Sequence, residues 1–225
     1  MSVNIYEKRL DAVFEKIEKA RTKVSEHQII KLVAVSKSVT SKEVELLYNA
    51  GQRAFGENRV QELTKKCEEL ENLPLEWHFI GRLQKNKINA LLDQNVSLIH
   101  SCESFSLAKE IDKRLEAKGK KVNILLQINS AKEDSKSGVM PEVANEEYLK
   151  ILSECKNINL LGVMSMGAHE DDVKLVQKSF EATYKIFESL KSHGASICSM
   201  GMSGDYELAI SCGSNMVRLG STIFH

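Results

Sequence analysis

The sequence predicts an α/β protein built as a single closed (β/α)8 barrel, a TIM barrel, with one extra helix at its N-terminus. Three observations carry that reading. Strand-like and helix-like segments alternate strictly through the chain, eight strands with about as many helices, and such alternation means βαβ units and a parallel sheet. The first strand, Leu32-Val33-Ala34-Val35, is an unbroken apolar run, as expected of a strand covered on both faces. The stretch after it, Ser36-Lys37-Ser38-Val39, lacks the Gly-rich fingerprint that an open dinucleotide-binding sheet would place there. Residues 1–225 read as one domain, with no linker, low-complexity tract or charge block to divide them.

The elements follow in order. Residues 4–25 form an amphipathic helix with Leu10, Val13, Phe14, Ile17 and Val24 on one stripe, capped by Asn4 with Glu7 three residues on. A cover for the bottom of the barrel is the usual place for such a helix. The strand at 32–35 ends at Lys37, and the capping box Thr40-x-x-Glu43 opens a helix to residue 49, closed by Gly51. Strands are expected at 53–56, 76–81, 96–101, 121–129, 160–165, 196–200 and 216–219. Helices are expected through 71, at 84–92, 104–118, 142–156, 173–192 and 205–211, with a last turn at 220–224. Gly119, Gly194 and Gly213 end three of them.

Composition narrows the function. The 31 basic and 31 acidic residues cancel, so nothing favours nucleic acid or an anionic membrane surface. No apolar run approaches a bilayer-spanning length, and the start has no signal-peptide core. Five scattered cysteines with no C-x-x-C spacing fit reduced thiols in a cytoplasmic protein. The histidines show no metal-ligand spacing, and His169-Glu170-Asp171-Asp172 reads as a solvated loop rather than a metal site.

Lys37 stands where a buried strand meets a loop, at the end of a parallel strand where ligands bind. It is either a solvated loop lysine or an amine able to attack a carbonyl and form a Schiff base. Two further loops, Met200-Gly201-Met202-Ser203-Gly204 and Arg218-Leu219-Gly220-Ser221-Thr222, follow the seventh and eighth strands. They are either ordinary Gly-Ser turns or the phosphate cradle that barrels often build there. Closure would put the eighth strand beside the first, with Lys37 one strand from that cradle. A compact ligand with an aldehyde at one end and a phosphate at the other fits the gap, and pyridoxal 5′-phosphate (PLP) is such a ligand. Arg218 is then either a structural ion-pair partner or a cation facing the pyridine ring, which would keep the ring nitrogen unprotonated and weaken its electron sink.

These residues resemble the YggS/PROSC family of pyridoxal phosphate homeostasis proteins over nearly the whole chain. The motifs are Ala34-Val35-Ser36-Lys37, Phe55-Gly56-Glu57-Asn58-Arg59-Val60-Gln61-Glu62 and Trp77-His78-Phe79-Ile80-Gly81-x-Leu83-Gln84-x-Asn86-Lys87. They continue with Ser135-Lys136-Ser137-Gly138, Leu161-Gly162-Val163-Met164-Ser165-Met166, Ser199-Met200-Gly201-Met202-Ser203 and Met216-Val217-Arg218-Leu219-Gly220-Ser221-Thr222-Ile223-Phe224. The resemblance implies a barrel similar to the N-terminal domain of alanine racemase. It implies PLP on Lys37, its phosphate at the turns of Ser203, Gly220 and Ser221, and Arg218 near the ring. Asn58, His78 and Ser165 match positions around the cofactor; Asn58 and His78 also read as strand-end hydrogen-bonding residues. The family's frequent proline after the lysine is replaced here by Ser38-Val39-Thr40-Ser41, and its Gly-Thr by Gly220-Ser221.

A racemase needs a base on each face of the substrate carbon. In alanine racemase the second is a tyrosine from a further domain and the partner subunit. Of Tyr6, Tyr48, Tyr148, Tyr184 and Tyr206, only Tyr206 falls near the predicted site, and it reads more simply as helix packing. The resulting expectation is a monomeric PLP carrier or buffer, serving PLP-dependent apoenzymes, rather than an enzyme. A weak PLP-dependent racemase or transaminase and a cofactor-free Schiff-base aldolase are the alternatives; a helical interaction module is disfavoured by eight strands. The loop at 132–136 is polar and placed to cover the mouth.

Overall fold

A computed structural model describes residues 2–133, 136–168 and 172–225. After α1 (Val3–Arg21), the chain runs β1 (Lys31–Val35), α2 (Ser41–Asn49), β2 (Ala54–Glu57), α3 (Val60–Glu69), β3 (Glu76–Phe79) and α4 (Ile88–Asp93). It continues through β4 (Val96–Cys102), α5 (Phe105–Lys118), β5 (Val122–Ile128), α6 (Ala144–Glu154), β6 (Ile158–Ser165) and α7 (Val173–Leu190). β7 (Ile197–Ser199), α8 (Tyr206–Ser211), β8 (Met216–Leu219) and α9 (Ser221–Phe224) complete it. The strands form one closed parallel barrel in sequence order. The closing seam pairs Lys31, Leu32, Val33 and Ala34 of β1 with Met216, Val217, Arg218 and Leu219 of β8. The expected fold is therefore present, and the first and last strands do meet.

Local signals explain the boundaries. Thr40 and Glu43 form the expected capping box at α2. Gly119 closes α5 in the left-handed region that a glycine adopts without steric cost. The N-terminal cap differs from expectation. Helix α1 begins at Val3 behind Ser2, with no side-chain cap, so Asn4 lies inside it. It also stops at Arg21, leaving Val24 in a turn, and Phe14 and Val24 of the predicted stripe are exposed.

The place of α1 also differs. Its buried residues, among them Tyr6, Leu10, Val13 and Ile17, pack with Leu32 and Ala34 of β1, Val217 and Leu219 of β8, and Ile210 of α8. Tyr6 meets Phe224 of α9 edge-on at 6.0 Å, and Arg9 donates to the Ile223 carbonyl. Helix α1 thus fills the outer ring over the β8–β1 seam, between α8 and α2, rather than covering the bottom. The reason is that α9 has only four residues, too short to cover the seam itself.

Inside the barrel, Val33, Ala54, Leu98, Leu125, Met164 and Met216 form an apolar plug. β6 is irregular: its pairing with β5 jumps from Leu160 to Gly162 across consecutive β5 residues. Gly162 sits at φ +149°, and a Cβ there would lie 1.9 Å from the Ile197 carbonyl oxygen. Such a bulge reverses which side chains face inward. Leu161 and Met164 pack against the interior plug, while Val163 joins the outer core. Ser165 is consequently turned outward, and its hydroxyl accepts from or donates to Thr183 Oγ1 of α7 at 2.9 Å.

Candidate functional site

The carboxyl ends of β1 and β8 lie side by side at one mouth. A cavity of about 360 Å³ there is lined by Lys37 and Val35 from β1 and its loop, Ser203 and Gly204 after β7, and Arg218, Gly220 and Ser221 from β8 onward. Five of the eight residues singled out in the sequence, Lys37, Ser203, Arg218, Gly220 and Ser221, therefore converge on one space. Asn58, His78 and Ser165 do not line it. Asn58 is exposed beyond β2, on a neighbouring groove that Lys37 also borders. His78 lies deeper in the barrel, and the Ser165 hydroxyl faces α7. A larger depression of about 830 Å³ lies outside, between α1, α7 and the β7–α8 turn. Size does not decide between them: the smaller cavity has the convergent polar groups a ligand needs.

The β7–α8 and β8–α9 turns are already locked together. Ser203 Oγ accepts from the Gly220 amide at 3.2 Å and the Thr222 amide at 3.4 Å. Two backbone donors thus point at one oxygen. An anionic oxygen could take these donors only by displacing the Ser203 hydroxyl, and would then be held more strongly because it is charged.

Arg218 is buried and points into the barrel. Its Nη1 donates to the Ser199 carbonyl at 2.9 Å and the Ser199 hydroxyl at 2.6 Å; its Nη2 donates to the Ser165 carbonyl at 2.9 Å. Burial pulls its pKa down to about 10, with Asp205 opposing, so it is still a cation at neutral pH.

Lys37 is exposed at the rim rather than shielded. What is buried is the structure behind it. Glu57, at the end of β2, is fully enclosed and pairs with Lys66 Nζ of α3 at 2.5 Å. Lys66 also donates to the Ser36 carbonyl at 2.7 Å, and the Ser36 hydroxyl donates to Glu57 Oε1 at 2.7 Å. The residue before Lys37 is thereby tied at both its carbonyl and its side chain. Glu57, Lys66 and Ser36 were missed as site residues. A lysine on a helix reads as a solvent-facing one, and nine residues separate it from Glu57, so no local spacing pairs them. The available signal was Glu57 within the Phe55–Glu62 motif, at the end of β2.

A second missed set supports Arg218. Glu76 Oε1 lies 3.0 Å from His78 Nε2, His78 Nδ1 lies 2.8 Å from His100 Nε2, and His100 Nδ1 lies 3.2 Å from Ser199 Oγ. Lys31 also contacts Glu76. Alternation in β4, with Leu98 inward, marks His100 as inward too.

Among the described residues no group of three or more metal-ligating side chains occurs, and no helix is long and apolar enough to cross a membrane. All five cysteines are unpaired. Of the expected acidic loop, His169, Glu170 and Asp171 lie outside the described residues, while Asp172 caps α7. Asp134 and Ser135 of the expected mouth-covering loop also lie outside them. Its flank is anchored by Lys136 Nζ donating to the Gly167 carbonyl at 2.6 Å.

A parallel barrel with these groups at one mouth defines a class, and the family model described as "Alanine racemase, N-terminal domain" matches residues 9–225. A relative from Helicobacter pylori, a pyridoxal phosphate homeostasis protein, is 54% identical over 97% of this chain and 98% of its own. A crystal structure of an unknown protein from Bifidobacterium adolescentis superposes with TM-score 0.93 at 33% identity, covering 99% of this chain and 95% of that one. PipY from Synechococcus elongatus, solved with PLP bound, gives TM-score 0.83 at 30% identity, covering 98% of this chain and all of that one. The chain belongs to the pyridoxal phosphate homeostasis protein family.

Proposed function

We propose that this protein binds pyridoxal 5′-phosphate at the barrel mouth, holds it through a Schiff base to Lys37, and acts in the cytoplasm as a monomeric carrier and buffer of PLP. The observation that carries the reading is the convergence of Lys37, Arg218 and the Ser203–Gly220–Ser221 turns on one cavity. The donor set fits the cofactor group by group. The Gly220 amide and the Ser203 and Ser221 hydroxyls suit a phosphate. The Lys37 amine suits an aldehyde, and the Arg218 cation suits the ring's basic nitrogen. When bound, PLP supplies a carbonyl carbon that condenses with amines and a ring that draws electrons from them.

The chain's own residues favour holding over turnover. Arg218 is cationic at neutral pH, so a ring nitrogen facing it stays unprotonated and the electron sink is weak. Lys37 is exposed, so water and incoming amines reach the linkage from the rim, which suits release to apoenzymes. No tyrosine lines the cavity among the described residues. Tyr206 is buried in α8 with its ring in the outer core beneath α1.

The test is a visible spectrum of the protein loaded with PLP, followed by borohydride reduction and peptide mapping. The expected result is a yellow protein with the cofactor fixed to Lys37, and loss of the yellow band in Lys37→Ala. Fixation at another lysine would overturn the linkage. Steady conversion of an amino acid at about 1 s⁻¹ or more would overturn the carrier role.

A further inference from the structure

We propose that Ser199, His100, His78 and Glu76 form a one-way hydrogen-bonded chain through the barrel interior, which positions the Arg218 guanidinium and gives its buried charge a distant carboxylate counterion. Arg218 has no carboxylate in salt-bridge contact among the described residues, yet it is only 4% exposed. A buried guanidinium without compensation is costly. Among the described residues, a continuous polar path runs from it through the barrel by Arg218 Nη1, Ser199 Oγ, His100, His78 and Glu76, with links of 2.6, 3.2, 2.8 and 3.0 Å. It ends at the amino ends of β1 and β3, where Glu76 is partly exposed and is shared with Lys31.

Donor and acceptor counting fixes the direction. Arg218 can only donate, so Ser199 Oγ accepts from it and has its own proton to give. A carboxylate can only accept, so His78 carries its proton on Nε2 toward Glu76. Both imidazoles are enclosed, His100 completely, and burial holds both below the ordinary imidazole pKa; each therefore carries one proton. His78 Nδ1 is then a lone pair, and the 2.8 Å contact requires the proton on His100 Nε2. His100 Nδ1 is left as the acceptor for the Ser199 hydroxyl. Every proton points from Arg218 toward Glu76, and each link polarises the next in the same sense. Reversing the chain would strand the Ser199 proton and set a lone pair against the carboxylate. The other charges nearby are Lys31, already on Glu76, and Asp205, which acts on Arg218 from the β7–α8 turn. These four are positioning residues; only Arg218 lines the cavity.

The first arm of the test uses the unliganded protein. Long-range 1H–15N correlation should show His78 and His100 neutral at pH 7, each with its proton on Nε2. A proton on Nδ1 of either ring, or a doubly protonated ring, would overturn the chain. The Arg218 Nη protons should exchange slowly, and about tenfold faster in Ser199→Ala, which opens the relay with little change in volume. His100→Leu should do the same. His100→Gln, whose amide can accept from Ser199 and donate to His78, should stay within about twofold of the wild type. Equal exchange in the Leu and Gln variants would reduce His100 to packing. A second arm, which rests on the PLP reading, expects Ser199→Ala to bind PLP about tenfold more weakly with Lys37 still modified. Unchanged affinity in Ser199→Ala would overturn the positioning role. Absence of PLP binding in the wild type would sink the cofactor reading instead, with the nitrogen and exchange measurements still deciding the chain.

Discussion

Two corners of the mouth face each other across the β8–β1 seam, and they hold their buried cations in opposite ways. Behind Lys37, the Lys66 ammonium touches the Glu57 carboxylate directly, and both groups also bind Ser36. Behind the turns joined by Ser203 and Gly220, Arg218 contacts carbonyls and a hydroxyl among the described residues, and the carboxylate of the proposed relay is four links away. A direct pair is local: it fixes one peptide, and removing one partner leaves the other buried and charged. A relayed pair spreads the cost over neutral groups and keeps one face of the cation free for a ligand. The difference matches what the proposed function would ask of each corner: an exposed Lys37 on an anchored loop, and an Arg218 of fixed orientation with one side open.

The sharpest way to break this comparison is Lys66→Met. It leaves Glu57 enclosed with no cation, while Oε2 already has no partner. The expected destabilisation is about 3–5 kcal/mol in urea unfolding. Adding Glu57→Gln should recover much of it, because the uncompensated charge is then gone. A loss under about 1 kcal/mol would mean that water reaches this corner, and the direct-pair description would fail.

The acid side of the stability curve probes the other corner. His78 and His100 are held below the ordinary imidazole value by burial first, and Glu76 is held down to about 2, chiefly by its hydrogen bond to His78. Each folded-state pKa is therefore lower than its unfolded value. The unfolded chain takes up protons first as pH falls, so stability is full above about pH 6.5 and declines below it. Each extra proton bound by the unfolded chain contributes a slope of about 1.4 kcal/mol per pH unit. Glu76 adds a further loss from about pH 4.5 downward, cut to under about 1 kcal/mol by its exposure. Urea midpoints from pH 8 to pH 5 should fall, and His100→Gln should flatten that slope by up to one proton. An unchanged slope in His100→Gln would show that His100 does not titrate between the folded and unfolded states.

The unequal legibility of the two corners has the same physical origin. Runs such as Leu32-Val33-Ala34-Val35, turn glycines and the Thr40–Glu43 box are local signals, and they yielded the strands, the closure and the positions of Lys37, Ser203, Arg218, Gly220 and Ser221. Charge pairing across elements is not local. Lys66 on α3 reads as a surface lysine by residue type, although it follows Val60 and Leu63 at three-residue steps on the buried face, and His78 and His100 meet only because β3 and β4 are neighbours in a ring. Ser165 shows the cost of one irregular residue. Counting alternation through β6 puts it inward with Leu161 and Val163, and the Gly162 bulge turns it toward α7. The place of α1 was hidden for a different reason: the sequence gives its apolar stripe, but only the shortness of α9 leaves a vacancy in the ring for it to fill.

The smallest expected effect bears on chemistry. Tyr206 begins α8 at the β7–β8 corner, directly after the cradle loop, and is the tyrosine that a two-base reaction would have to recruit. Its hydroxyl is buried without a partner, and burial raises its pKa. A phenol so placed is a poor base, since removing its proton would leave an enclosed anion. Its ring belongs to the core that α1 seals over the seam, facing away from the interior that Arg218 enters. Tyr206→Phe therefore deletes an unsatisfied polar atom and keeps the ring. Stability should change by less than about 0.5 kcal/mol, or rise, because no hydrogen bond is lost. PLP affinity and the spectrum of the loaded protein should match the wild type within error, and so should any trace of racemisation. A tenfold fall in racemisation at unchanged affinity would place this hydroxyl at the reacting carbon. It would also mean that the cradle corner swings open far enough to turn α8 inward, against the fixed-orientation role argued for it.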